Sequence, residues 1–191
     1  IDIETAGGDD EDHAWNAVKL LQVEDAWVRN CTFLHFGLAG VATQTATRIT
    51  VENCKALDPV AQVTGARMYN FDLLKSSSQV LFKDCFANNG RHHYVSNGTS
   101  WVSGCVFLNC ISEAAYSASE GHRRWSMGLL FDKHEEIAVR TSRVLLGLYN
   151  RGSYGTAHGW SAAHSVAWNC HVKNAELVLS LIHISEPTRH R

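Results

Sequence analysis

Three stretches of the chain crowd imidazole, guanidinium and aromatic groups into short spans. They are Asn89-Gly90-Arg91-His92-His93-Tyr94, Glu120-Gly121-His122-Arg123-Arg124-Trp125, and Asn150-Arg151-Gly152-Ser153-Tyr154-Gly155-Thr156-Ala157-His158-Gly159-Trp160. An imidazole exchanges a proton near neutral pH, which makes His92, His122 and His158 candidate bases or acids. The planar guanidinium fork matches a carboxylate or sulfate, so Arg91, Arg124 and Arg151 suit an acidic substrate. The phenol of Tyr94 or Tyr154 can supply a proton to a leaving oxygen. Trp125 and Trp160 offer faces that stack on sugar rings, and Arg67 adds a further cation for substrate binding. One chemistry uses all of these groups. An acidic sugar has its carboxylate neutralised, a base removes the proton alpha to it, and an acid assists the departing oxygen. Each residue also has a plain structural use, since His and Arg beside Gly brace turns by hydrogen-bonding carbonyls.

Two other chemistries stay open. Glycoside hydrolysis needs two carboxylates roughly 5–10 Å apart. Glu113, Glu120 and Asp132, with Asp58 and Asp84, are the acids in the right region, and Glu120 with Asp132 is the pair to test. The third reading is a non-catalytic polysaccharide-binding or adhesive solenoid, in which Arg and Trp bind and His only braces. No metal centre is expected. No CxxC pair occurs, and Cys105-x4-Cys110 is not a zinc spacing. The run Asp9-Asp10-Glu11-Asp12 ahead of His13 is the one candidate for Ca²⁺, but it lacks the spaced ligands and internal glycine of an EF-hand.

These groups must be positioned by a chain of 191 residues, 45% hydrophobic and 19% charged, with a formal net charge of −2. That suffices for a core but leaves no electrostatic footprint for nucleic acid or a membrane surface. No apolar run is long enough to be a transmembrane helix. Six cysteines are far below the density of a disulfide scaffold. The chain has 14 Gly against 2 Pro, so it turns often without proline.

A repeat supplies the scaffold. Cys31, Cys54, Cys85, Cys110 and Cys170 each follow Asn or Asp at the end of a short alternating segment, at intervals of 23, 31, 25 and 60 residues. Trp15, Tyr69 and Tyr94 each precede a repeat cysteine by sixteen residues, and Gly65 and Gly90 each precede one by twenty. Self-similarity on this scale marks a solenoid, and short alternating runs bounded by Gly, Asn and Ser read as strands. Only Met127 to Arg140 leaves room for helical periodicity. The expected fold is all-β: a right-handed parallel β-helix of about six coils. Its cysteines stack inward and its asparagines ladder at a turn. The basic connections are then expected at one point of successive coils, forming a continuous groove wall.

Leu179 to Arg189 reads LSLIHISEPTR and resembles a translated sequencing adapter. The domain is therefore expected over residues 1–178, cut at both ends, with residues 179–191 an artefact tail.

Several segments together resemble a known group. They are Leu57-Asp58-Pro59-Val60-Ala61-Gln62-Val63-Thr64-Gly65, Gly90-Arg91-His92, Gly121-His122-Arg123-Arg124-Trp125, and Ala157-His158-Gly159-Trp160 with Trp168-Asn169-Cys170. Glu11-Asp12-His13-Ala14-Trp15 and Ala26-Trp27-Val28-Arg29 extend the likeness, which spans about Asp9 to Val172. The chain is similar to bacterial pectin-lyase-like β-helix proteins, the pectate-lyase superfamily. The resemblance implies a secreted, periplasmic or cell-surface protein acting on acidic polysaccharide. Pectate lyases of this fold use clustered aspartates for Ca²⁺ and an arginine base. The central coils lack such a cluster, so a His/Arg site is the expectation.

Overall fold

The residue before each repeat cysteine adopts the left-handed backbone conformation. Its φ is 55° at Asn30, 51° at Asn53, 53° at Asp84, 51° at Asn109 and 49° at Asn169. Asn and Asp tolerate that region better than other non-glycine residues because their short polar chains hydrogen-bond locally. Their side chains then form a ladder. Asn53 Nδ2 donates to Asn30 Oδ1 at 2.7 Å, and Asn109 Nδ2 donates to Asp84 Oδ1 at 2.6 Å. The cysteine that follows turns inward. Cys54, Cys85 and Cys110 are buried, and Cys31 and Cys170 on the outer coils are half-buried; none is in a disulfide.

The computed structural model describes residues 8–97, 101–140, 142 and 144–179. Three strands make each coil. The first coil has β1 (Asn16–Leu21), β2 (Glu24–Arg29) and β3 (Thr32–Leu34), and the second β4 (Ala39–Gln44), β5 (Thr47–Glu52) and β6 (Lys55–Leu57). Next come β7 (Tyr69–Leu74), β8 (Ser78–Lys83) and β9 (Phe86–Asn88), then β10 (His92–Ser96), β11 (Ser103–Leu108) and β12 (Ile111–Ala115). The fifth coil has β13 (Ser119–Gly121), β14 (Met127–Asp132) and β15 (Glu135–Val139). The sixth has β16 (Val144–Leu148), the single turn α1 (Tyr154–Ala157), β17 (Val166–Trp168) and β18 (His171–Val172), and β19 (Glu176–Leu179) follows. All pairings between these strands are parallel, and one isolated antiparallel bridge joins Asn150 to Trp160. A first sheet of seven strands runs β1-β4-β7-β10-β13-β16-β19, and two sheets of six carry the second and third strands of each coil. The fold is a right-handed parallel β-helix.

Aromatic stacks fill the bore. Phe82 lies on Phe107 at 5.3 Å and Phe107 on Phe131 at 4.6 Å, while Phe71 lies on Tyr94 at 5.1 Å. Tyr94 is fully buried, and its hydroxyl sits 2.9 Å from the carbonyls of Cys85 and Ile111.

The fifth coil departs from the repeat. Lys133 takes the left-handed position with φ 52°, and His134 fills the cysteine position, fully buried, 2.8 Å from the equally buried Glu136. The interval of 60 residues therefore hides one coil. Met127 to Arg140 is two strands, β14 and β15, rather than a helix. The sixteen-residue spacing of Tyr69 and Tyr94 is also not structural equivalence, because Tyr94 pairs with Phe71 and Tyr69 with His92. Leu179 ends β19 and pairs with Leu148; residues 180–191 of the expected tail lie outside the described residues.

The central strands of the first sheet are buried on both faces: every residue of β10 and β13 is buried. One outward row runs Ala42, Asp72, Val95, Glu120 and Gly147 across β4, β7, β10, β13 and β16. The long connection after β16 packs onto this face. On the opposite, bore-side face, a Cβ at Gly121 would overlap the Ser161 carbonyl, so only glycine lets the end of that connection approach so closely.

Candidate functional site

The basic connections divide between the two ends of the first sheet instead of stacking at one point. Arg67 and Arg91 lie on connections that lead into that sheet; His122, Arg123, Arg124, Arg151 and His158 lie on connections that lead out of it. The sets still meet, because β13 is only 3 residues long, about 10 Å at the usual strand rise. Between them lies a cavity of about 400 Å³. Arg91, His122, Arg151, Tyr154 and His158 line it, together with Tyr69, Asn97, Arg123, Gly65, Ala66, Gly155 and Thr156.

The three candidate histidines form a contact ladder. His92 meets His122 with ring centroids 4.5 Å apart, and His122 meets His158 at 4.7 Å, both edge-on. Tyr69 closes the inner end, 5.4 Å from His92 and 5.7 Å from His122. Exposure rises along the ladder, from 1% at His92 through 5% at His122 to 8% at His158. His92 Nδ1 donates to the Ala118 carbonyl at 2.6 Å, which fixes its tautomer and leaves the buried Nε2 without a partner.

Glu120 is the buried anchor, at 1% exposure. Its Oε1 lies 2.6 Å from His122 Nδ1, 3.3 Å from His92 Nδ1 and 2.5 Å from Arg151 Nη1. Arg151 also contacts His122 Nδ1. Burial raises the Glu120 carboxyl above its usual range, against the pull of His92, Arg151 and Arg91. Burial, reinforced by Arg151 and His158, pushes His122 down to about 2. His92 falls well below the usual imidazole range, again through burial first. His158 is lowered by burial and by Arg151. All three imidazoles are therefore neutral at physiological pH. Tyr69 is shifted up by burial, so its phenol keeps its proton. Its hydroxyl is held by Arg91, whose guanidinium lies 4.9 Å from the Tyr69 ring centre.

Other candidates stand elsewhere. Arg124 donates to the Thr156 carbonyl at 2.9 Å and braces the wall made by the long connection. Trp125 and Trp160 are 61% and 40% exposed, joined by a 2.9 Å hydrogen bond from Trp125 N to the Trp160 carbonyl. Arg67 is committed to Glu11 and lies 5.6 Å from the Trp15 ring centre. Tyr94 belongs to the core rather than the cavity. Of the hydrolase pair, Glu120 is under the cavity floor, while Asp132 ends β14 in a different sheet.

Sequence reasoning missed Tyr69, Arg123, Asn97 and Asp72. Asp72 shares the outward row of Glu120. Burial holds its carboxyl well above the usual range, with Asn97 and Arg123 pulling the other way. The signal for Tyr69 was present as its register with His92, hidden by the unequal lengths of the connections before them.

Among the described residues, His92, Glu120 and His122 are the group whose donor atoms converge as metal ligands, all within 4.8 Å of one another. The Arg151 guanidinium already supplies a positive charge to two of the three. Two imidazoles with one carboxylate also do not fit Ca²⁺, which takes 6–8 oxygens. In the acidic run, Glu11 is bound by Arg67 and by the Gln62 amide, and Asp10 Oδ1 accepts the Asp12 amide at 2.8 Å. Those oxygens do not converge into a cage.

Set beside known proteins, the chain matches no family model, no curated protein and no solved structure.

Proposed function

We propose that the cavity binds an acidic, uronate-containing polysaccharide and cleaves it by β-elimination. The supporting observation is the ladder of neutral imidazoles set among arginines. Arg91 and Arg123 line the cavity with no carboxylate ion-pair partner among the described residues. They are suited to hold the substrate carboxylate, which makes the alpha proton more acidic. A base works best when its pKa lies near the operating pH. His122, at about 2, is too weak, and His92 is lower than usual and shut away. His158, the most exposed of the three, is the base. It takes the proton alpha to the carboxylate, a carbon–carbon double bond forms, and the bond to the leaving glycosidic oxygen breaks. The Tyr69 phenol, still protonated, gives its proton to that oxygen. Glu120 and Arg151 orient His122 and hold the ladder in place.

The residues lining the cavity include no carboxylate, which weighs against hydrolysis by paired acids. The kinship with pectin-lyase-like proteins, and a place outside the cytoplasm, belong to the same proposal; they rest on the motifs quoted above.

The test is ultraviolet absorbance of the unsaturated uronate product. The protein is incubated with polygalacturonate, alginate, glucuronan and glycosaminoglycans, with and without chelator. A rise that persists in chelator and is lost in His158→Ala is the expected result. No rise on any polymer, from protein shown to be folded, would overturn the proposal.

A further inference from the structure

Three successive coils present an indole at the same edge of the solenoid. Ser103 pairs with Met127 and Met127 bridges to Ala163, so Trp101 and Trp125 occupy equivalent positions, two residues ahead of the paired residue. On the next coil the equivalent position is the buried Ser161. Trp160 stands one residue ahead of it, its carbonyl accepting from the Trp125 amide, so its indole lies beside the row rather than in register with it. The three are 70%, 61% and 40% exposed. The equivalent positions of the first three coils hold Gln22, Thr45 and Ser76. All of these, with Trp101 at φ 58° and Trp125 at φ 61°, are in the left-handed region. A bulky aromatic there is strained, and one that is mostly exposed recovers little burial in return. Stability does not explain tryptophan at these positions; a partner does.

The row runs along the solenoid axis at about 4.8 Å per coil, close to the length of one sugar ring in an extended chain. Arg123 and Arg124 precede Trp125 directly, and Arg123 also lines the cavity, so the row is continuous with the site. We propose that Trp101, Trp125 and Trp160 form a track for an acidic polysaccharide. The chain lies parallel to the axis, its rings stacked on successive indoles, its anionic groups on the flanking arginines and one end fed into the cavity. This track rests on the proposed substrate class but not on cleavage. It adds Trp101 as a binding residue and implies that long chains are held better than short ones.

Affinity electrophoresis of the full chain tests it, in gels containing polygalacturonate, alginate or chondroitin sulfate. Trp101→Ala, Trp125→Ala and Trp160→Ala are run singly and together, beside Trp27→Ala as an exposed indole on another face. Circular dichroism confirms that each is folded. On the polymer that retards the unsubstituted protein, each single change weakens binding about tenfold, the triple change abolishes it, and Trp27→Ala has no effect. Retardation unchanged in the triple variant overturns the track and leaves the cavity reading standing. Retardation with no unsaturated product overturns cleavage and leaves the track standing. Retardation by no glycan, or binding of a single-stranded oligonucleotide instead, overturns the track.

Discussion

Glu120 Oε1 and His122 Nδ1 lie 2.6 Å apart beneath the cavity, and Arg151 Nη1 approaches the same oxygen to 2.5 Å. Two residues apart in sequence, they make the buried charge of Arg151 tolerable and fix the central rung of the histidine ladder. Removing one partner of a buried ion pair strands the other charge. Glu120→Gln keeps the shape and removes the charge. It should lower unfolding free energy by about 3 kcal/mol in urea titrations. Turnover of the cleaved polymer should fall at least tenfold with little change in KM, since Glu120 does not line the cavity. An unchanged unfolding midpoint would mean that Arg151 does not depend on Glu120.

The asparagine ladder predicts an unusual order of substitutions. Asn53 combines φ 51° with a 2.7 Å hydrogen bond to Asn30. Asn53→Ala loses both the bond and the tolerance of the left-handed region, and should cost about 1–2 kcal/mol. Asn53→Gly loses only the bond, and should cost clearly less despite the extra freedom of glycine. Thermal melts of the pair decide it; alanine more stable than glycine would remove the conformational explanation.

That ladder was legible in the sequence because one local requirement, a left-handed turn followed by a small inward residue, selects Asn-Cys or Asp-Cys on five of the six coils. The fifth coil meets the same geometry with Lys133 and His134, chemistry that no cysteine pattern can find, so a coil was lost in a long interval. The site was legible in part. His92, His122, His158, Arg91 and Arg151 declared themselves by type. Their meeting from opposite ends of the first sheet depends on the brevity of β13 and the fold-back of the connection after β16. Tyr94 was misplaced for a related reason. It lies two residues beyond His92, and near the start of β10 the chain turns from the outer face, where His92 sits, to the bore.

Phe107 is held between Phe82 at 5.3 Å and Phe131 at 4.6 Å, and is fully exposed to neighbours and not at all to water. The third, fourth and fifth coils each contribute one ring, so the loss of Phe107 opens a gap in the middle of the stack that adjacent coils cannot close without losing strand register. Phe107→Ala should cost about 3–5 kcal/mol in urea unfolding, while Phe107→Leu, which keeps most of the volume, should cost markedly less. Equal effects would show that the stack is loosely packed.

His93 gives the interior a proton-linked stability. The Gly90 amide donates to its Nε2 at 2.8 Å, and its Nδ1 lies 2.6 Å from Ser112 Oγ, so both nitrogens are used by the neutral ring. Burial pushes its pKa down to about 3, with His134 adding to the effect. The folded ring therefore binds a proton less readily than the unfolded one, whose pKa is near 6.5. Its contribution is complete above about pH 6.5 and is lost as pH falls toward 3. Between pH 6.5 and 5 the loss is about 2 kcal/mol. Asp72 and Glu120, whose carboxyls burial raises, have the opposite slope, so the stability curve of the whole protein mixes the two signs. His93→Gln separates them because the carboxyls are common to both proteins. The variant should be less stable than the parent at pH 7, and its deficit should shrink by about 2 kcal/mol at pH 5 in paired urea titrations. A deficit that is the same at both pH values would show that His93 takes up its proton inside the fold as easily as outside it.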